Sequence, residues 1–403
     1  MKKILSLILA MLMIAGCAIG FTACGTTDDV SDTFKIGVVC IGDENEGYTA
    51  NFIAGFEAMK VALGLTDDQI IYKKNVLESG SAAYDACVDL AEENCNVIFG
   101  NSFGFEQNMI QAAKEYPNIE FLHATGTQAS QVQLDNYHNA FASIYEARYL
   151  AGIVAGTKLQ ELIDAGKVAA DKALVGYVGA FPYSEVVSGY SAFYIGVKSA
   201  CPTATMTVKY TTSWGDFALE KDAAAALIND GCVIISQHAD TAGAPTACEE
   251  AIAAGKEVYN VGYNISFNNV APNASLVSSK IDWAPYLTYA MKTIMDGNDL
   301  EADWCKGLAE GAATLTEYNT IVSDAAKAAV DAAAAKIKDG SFKVFDTANF
   351  TVGGETLTTR LADVDGDFVP EKEAIVDGVY MESYFRSAPY FDIIIDGITV
   401  PAQ

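Results

Sequence analysis

"ALEKDAAAALINDGCVIISQHAD", residues 218–240, decides the fold class. Its Ala-rich first half reads as a helix, and "CVII" then reads as a buried strand that stops at His238 and Asp240. A helix feeding an apolar strand is half of a βαβ unit. Outward from it the same alternation recurs. The apolar runs "FKIGVVC", "IIYKKNV", "NVIFG", "IEFLHAT", "ALVGYVGA", "ATMTVKYTT", "EVYNVGYN" and "SLVSSKI" are separated by helical stretches such as "YTANFIAGFEAMKVAL" and "EQNMIQAAKEYP". Apolar strands alternating with helices predict parallel sheets covered on both faces, and right-handed crossovers make each sheet doubly wound. The fold class is therefore α/β.

The alternation breaks at "IYEARYLAGIVAGTKLQELIDAG", residues 144–166, a long helical pattern with no strand beside it. A second series restarts at "ALVGYVGAF". Two lobes with the long helix at their junction are expected. Open parallel sheets bind ligands outside the carboxyl ends of their strands. His123, His238, Asp240 and Asn264 all fall at such ends, so two facing rims could share one cleft.

The bulk composition narrows the function. With 403 residues, 51% of them hydrophobic and 19% charged, the chain reads as globular. A net charge of −27 excludes a nucleic-acid surface, which needs clustered Lys and Arg. "MKK", an apolar run and an abrupt polar turn form a secretory signal. Cys24 in "FTAC" follows small residues at its end and precedes polar ones, as lipidation of a surface tether requires; Cys17 in "IAGC" is the alternative. A lipid on Cys24 would anchor the chain to the extracytoplasmic face of the cell membrane without spanning it. No later segment approaches the ~18 apolar residues of a spanning helix. Seven further cysteines contain no C-x-x-C pair and sit in apolar stretches, which argues for small hydrophobes rather than a zinc or disulfide framework.

The phosphate-binding, nucleophile-elbow and zinc-protease fingerprints are all missing. No cofactor, metal ion or catalytic residue is expected. In the tail, "DVDGDFVPEKE" departs from the calcium-loop spacing, with Gly366 fourth instead of sixth, and reads as a solvated acidic turn. His238 and Asp240, two apart on one strand, point to one face. Catalysis would also need a nucleophile or a third metal ligand, so contact with a ligand is the favoured role for the pair. Three loops place an aromatic beside small polar residues at strand ends: Tyr48 in "GDENEGYT", Ser102 and Phe103 in "GNSFGF", and Trp214 and Asp216 in "TTSWGDF". A flat heterocycle held between aromatic faces with carboxylates and amides on its edge fits this set, although a sugar also stacks on aromatic rings.

"NSFGFEQNMIQAAKEYPNIEFLHATG", "YEARYLAGIVAG", "GYVGAFPYSEVVSGYSAFYIGVKSACP", "SWGDFALEKDAAAALINDGCVIISQHAD" and "DWAPYLTYAMKTIMDG" carry a resemblance to the basic membrane protein family of ABC-transporter substrate-binding lipoproteins, which includes bacterial purine nucleoside receptors. The resemblance runs from about Phe34 into the Ala-rich helix. It implies a type I periplasmic-binding-protein fold: two doubly wound lobes and a ligand cleft between them. By motif position it makes Tyr48 and Phe103 ring contacts of the first lobe. Trp214, Asp216, His238 and Asp240 become the second rim, and Asn264 lies on the crossing strand. "NEGYT" departs from the family's D-x-S-F-N, and Asn264 stands where an Asp is common, which shifts the expectation towards a free base.

The expected organisation is a signal peptide (1–23), a tether (24–33), a first lobe (34–145 and 262–300), a second lobe (146–261 and 301–345) and a strand-and-turn tail (346–403). The expected function is capture of a purine nucleobase or nucleoside by a monomer that delivers it to an ABC permease and its ATPase. The alternatives are an enzyme using His238 and Asp240 on nucleosides, and a receptor of the same fold for another solute such as a sugar.

Overall fold

Ile36–Val39 (β1) is buried along its whole length, as a strand covered on both faces must be. The computed structural model describes residues 34–367 and 369–401. The signal segment, the tether and both candidate lipidation sites, Cys24 and Cys17, lie outside the described residues. From β1 the chain builds α1 (Gly47–Leu63), β2 (Ile70–Lys73), α2 (Ala82–Glu92), β3 (Val97–Gly100), α3 (Glu106–Glu115), β4 (Glu120–Ala124), a short α4 (Ala129–Val132) and β5 (Tyr137–Ala142). The long helix α5 (Ile144–Asp164) follows. A second series contains β6 (Leu174–Gly179), α6 (Ser184–Ala200), β7 (Thr205–Tyr210), α7 (Phe217–Asn229), β8 (Ile234–His238), α8 (Gly243–Ala253), β9 (Tyr259–Tyr263) and β10 (Ser275–Ile281). Last come α9 (Ala284–Met295), β11 (Asp303–Lys306), β12 (Ala313–Leu315) and α10 (Asp324–Lys338).

Two parallel sheets result. The first runs β11-β5-β4-β3-β1-β2. The second runs β12-β10-β9-β8-β6-β7 and ends on Ile398–Thr399, with only β12 antiparallel to its neighbour. Each sheet reverses its winding once, between β1 and β3 in the first and between β6 and β8 in the second. Those are the switch points at which the loops on either side diverge and leave a crevice.

The chain crosses between lobes later than the sequence suggested. Residues 262–300 were expected in the first lobe, but β10 pairs with β9 and so belongs to the second sheet. The crossing comes after Ile281, where buried Trp283 stacks on Phe52 of α1 at 4.2 Å between ring centroids. Residues 301–345 were expected in the second lobe, yet β11 pairs with β5 in the first sheet before β12 returns to the second. The physical reason is edge satisfaction: β9 and β5 each present an open row of backbone groups that the next available strand fills.

The tail packs on the second lobe and also reaches the first, where Ser387 N–H donates to Asp303 at 2.9 Å. Phe345 stacks on Phe391 at 4.2 Å and meets Tyr145 of α5 at 5.1 Å. Ser188 of α6 donates to the buried Glu382 carboxyl at 2.5 Å, and burial pushes that group up to about 8. The seven described cysteines are free, and burial raises the thiols of Cys40 and Cys232 to about 12, consistent with their reading as small hydrophobes.

Candidate functional site

A cavity of about 80 Å³ lies at the two switch points. Every strand from β1 to β4 sends at least one residue from its carboxyl end: Ile41 and Tyr48 after β1, Glu78 after β2, Ser102 and Phe103 after β3, and Thr125 after β4. The second sheet matches this with Glu185 after β6, Trp214 after β7, Asp240 after β8 and Tyr263 at the end of β9. The lobes meet at Gly47, where an added Cβ would lie 3.2 Å from the Asp240 carbonyl oxygen and 3.1 Å from Ile265.

Asn101 knits the first rim. Its buried side chain accepts from Ile41 N–H at 2.9 Å and donates to Thr49 Oγ1 at 3.3 Å, while its backbone carbonyl accepts from the Tyr48 hydroxyl at 2.6 Å. Glu46 caps α1 by accepting from the N–H groups of Tyr48 and Thr49, which fixes the Tyr48 ring at the cavity wall. Ser102 donates its hydroxyl to Glu78 at 2.6 Å, and Gly104 N–H donates to the same oxygen at 2.8 Å. Phe103, half exposed, is left facing the cleft.

The second rim is held from behind. Gln237 is fully buried, and its amide donates to the carbonyls of Ala239 and Thr241, both at 2.9 Å. Glu220 accepts from Thr241 N–H at 3.1 Å; burial raises its carboxyl to about 7. Asp240, between these anchors, donates its N–H to the Trp214 carbonyl at 2.8 Å. Its carboxylate has no hydrogen-bond partner among the described residues. Burial, reinforced by Glu46, Glu220 and Glu185 and opposed by Arg148, raises the Asp240 carboxyl well above the carboxylate range.

The histidines answer to packing. His238 is fully buried and does not line the cavity. Burial and the Arg148 charge lower it to about 4, so it is neutral; its Nε2–H donates to Glu185 at 3.1 Å. Its ring packs 4.6 Å from Tyr263, and the Arg148 guanidinium lies 3.8 Å from the centroid of the same Tyr263 ring. Arg148, 1% exposed, donates to the Gln237 carbonyl at 2.7 Å. His238 and Arg148 thus orient the wall residues Glu185 and Tyr263. In the first lobe, His123 is equally buried and bonds the Ser102 carbonyl at 2.7 Å.

Of the residues expected from sequence, the cavity brings together Tyr48, Ser102, Phe103, Trp214 and Asp240. Three others sit elsewhere. Asp216 is the N-cap of α7, accepting from Leu219 N–H at 3.0 Å. His238 lies one layer behind. Asn264, in a left-handed conformation at φ 61°, lines a separate groove with Asn51, Lys280 and Asp282. Ile41, Glu78, Thr125, Glu185 and Tyr263 were missed, although the carboxyl-end rule applied to every strand would have found them. Elsewhere among the described residues, Asp363, Asp365 and Glu371 bring carboxylate oxygens within 4.8 Å of one another, in the acidic turn of the tail.

The family model for PnrA-like ABC-transporter substrate-binding proteins, the Bmp family, matches residues 31–347. The chain belongs to this family. It is a substrate-binding protein of an ABC transporter, an extracytoplasmic component that works with a permease and an ATPase, and not an enzyme. It is 29% identical over 334 residues to a purine-binding protein of Brucella abortus, covering 83% of this chain and 89% of that one. A Haloferax volcanii protein named as an ABC-transporter glucose-binding protein is 31% identical over 261 residues, 64% of this chain and 61% of its own length. The solved solute-binding protein from Conexibacter woesei superposes with a TM-score of 0.62 at 20% identity, covering 77% of this chain and 98% of that one, and shows the shared fold. The expected periplasmic-binding-protein architecture is thereby established. No helix of the described residues is long and apolar enough to cross a membrane.

Proposed function

We propose that this substrate-binding protein captures a purine, with the free base preferred, in the cleft between its two sheets and delivers it to its permease. The observation that carries the reading is the pairing of aromatic side chains from both lobes, Tyr48 and Phe103 against Trp214 and Tyr263, with carboxylates at the rim of one small cavity. The purine-binding relative from Brucella abortus supports it. The small volume suits a bare heterocycle better than a nucleoside. A glucose-like ligand fits the lining less well. Sugar hydroxyls both donate and accept, and among the described residues the cavity offers carboxylates and hydroxyls but no amide, Lys or Arg side chain. Thermal unfolding with purine bases, nucleosides and D-glucose tests the assignment. A purine at 100 times its Kd raises stability by about 2.7 kcal/mol. A shift with glucose and with no purine would overturn the reading.

The same proposal anchors the mature chain through a lipid on Cys24, with Cys17 as the alternative, because the apolar run ends in "FTAC" before polar residues. Mass spectrometry of the N-terminal peptide from membranes is expected to show a diacylglyceryl-modified Cys24. An unmodified peptide beginning elsewhere would exclude the anchor.

A further inference from the structure

We propose that Asp240 reads an exocyclic amino group, so that the cleft selects aminopurines over oxopurines that lack one; this rests on the purine reading above. Among the described residues three carboxyl groups line the cavity, and two of them have one oxygen engaged. Glu78 Oε1 takes both the Ser102 hydroxyl and the Gly104 N–H. Glu185 Oε1 is held by His238 Nε2. The side chain of Asp240 alone of the three accepts nothing among the described residues, while its backbone is clamped through Gln237, Glu220 and Trp214. A fixed, unpartnered acceptor on a cavity wall selects for a ligand donor, since an acceptor left unmet once the ligand has displaced water is penalised.

A second observation points the same way. Tyr263 lines the cavity and is 4% exposed, and its buried hydroxyl has no hydrogen-bond partner among the described residues. It can donate to a ring nitrogen or carbonyl oxygen on the adjacent edge of the same heterocycle. Among the described residues no Lys or Arg lines the cavity: the nearby buried cation, Arg148, lies over the Tyr263 ring and donates to the Gln237 carbonyl. An ionised Asp240 would accept the paired ring N–H and amino N–H of guanine. A neutral one would accept the amino N–H of adenine and donate to its neighbouring ring nitrogen. It is the ionised carboxylate, with no proton to give a carbonyl oxygen, that demands the amino group; a neutral carboxyl would pair equally with the ring N–H and carbonyl oxygen of hypoxanthine, so the selectivity belongs to the ionised form. Hypoxanthine lacks the amino group, and xanthine sets a carbonyl oxygen against the carboxylate.

Calorimetric titration of the full soluble chain with guanine against hypoxanthine, and with guanosine against inosine, isolates the 2-amino group within each pair. The amino member is expected to bind about tenfold or more tightly, and Asp240→Ala to bring that ratio close to one. Equal or tighter binding of the oxopurine, or an unchanged ratio in Asp240→Ala, would overturn the role of Asp240 while leaving the purine reading intact. Binding of D-glucose with no purine bound would instead remove the purine reading itself. Should Asp240→Ala fail to fold, the ratio measured on the unsubstituted chain still decides the selectivity.

Discussion

Gly152→Ala is expected to destabilise the protein by at least about 3 kcal/mol, at the upper end of overpacking. Helices α5 and α6 cross at backbone contact. A Cβ on Gly152 would sit 2.1 Å from the Phe193 carbonyl oxygen, and one on Gly156 would sit 2.4 Å from that of Val197. From the other side, a Cβ on Gly196 would meet the Tyr149 carbonyl oxygen at 2.1 Å. These neighbours are helical backbone, which cannot rotate away as a side chain tip does, so a methyl group must push the helix axes apart. The effect reaches the cleft. Arg148 stands one turn before Gly152 on the same face of α5, and on α6 a Cβ at Gly189 would come within 2.7 Å of His238 Nδ1. Urea unfolding of Gly152→Ala and Gly196→Ala measures this, with Gly215→Ala as control, since nothing lies within 4 Å of a Cβ there. The control is expected to stay within about 0.5 kcal/mol. A similarly small change in Gly152→Ala would show that the helices can separate freely.

The sequence carried the fold well because its periodicity is direct: runs such as "GVVC" and "CVII" are buried on both faces and have no other stable use. It carried the crossing points poorly. Whether "SLVSSKI" joins the first or the second sheet depends on which edge is open when it arrives, and that is a three-dimensional property. The site divided in the same way. Tyr48, Phe103 and Trp214 were legible because an aromatic beside Gly and small polar residues at a strand end has little to pack against locally. His238 misled because a residue at a strand's end can face either the cleft or the helix layer; here it sinks against Gly189 and serves Glu185. Asp216 was taken for a rim carboxylate, but its position three residues before Leu219 also suits an N-cap, and that is the role it has. Glu185 and Tyr263 sat unremarked inside "PYSEVV" and "NVGYN", where nothing local separates a wall residue from a core one.

Trp214→Ala is expected to weaken purine binding by about 100-fold, the upper part of the range for a ring stacked on a base. The half-buried Trp214 side chain is propped by Phe181 at 5.6 Å, Tyr183 at 6.2 Å and His238 at 6.2 Å between centroids, so its ring is already oriented before any ligand arrives. Its backbone carbonyl takes the Asp240 N–H, a bond that alanine keeps. The substitution therefore removes the stacking face and leaves the polar reader in place. Trp214→Phe, which restores a ring, is expected to recover affinity to within about tenfold of the parent, as an aromatic contact would. Asp216→Ala is the matched control: it loses a helix cap of about 1 kcal/mol and leaves affinity unchanged, because that carboxylate faces Leu219 N–H and not the cavity. Calorimetric titration of the three variants separates the cases. An affinity within roughly threefold of the parent in Trp214→Ala, far below what loss of a stacked base produces, would mean that the ligand does not lie against this ring, and the aromatic pairing across the cleft would lose its second wall.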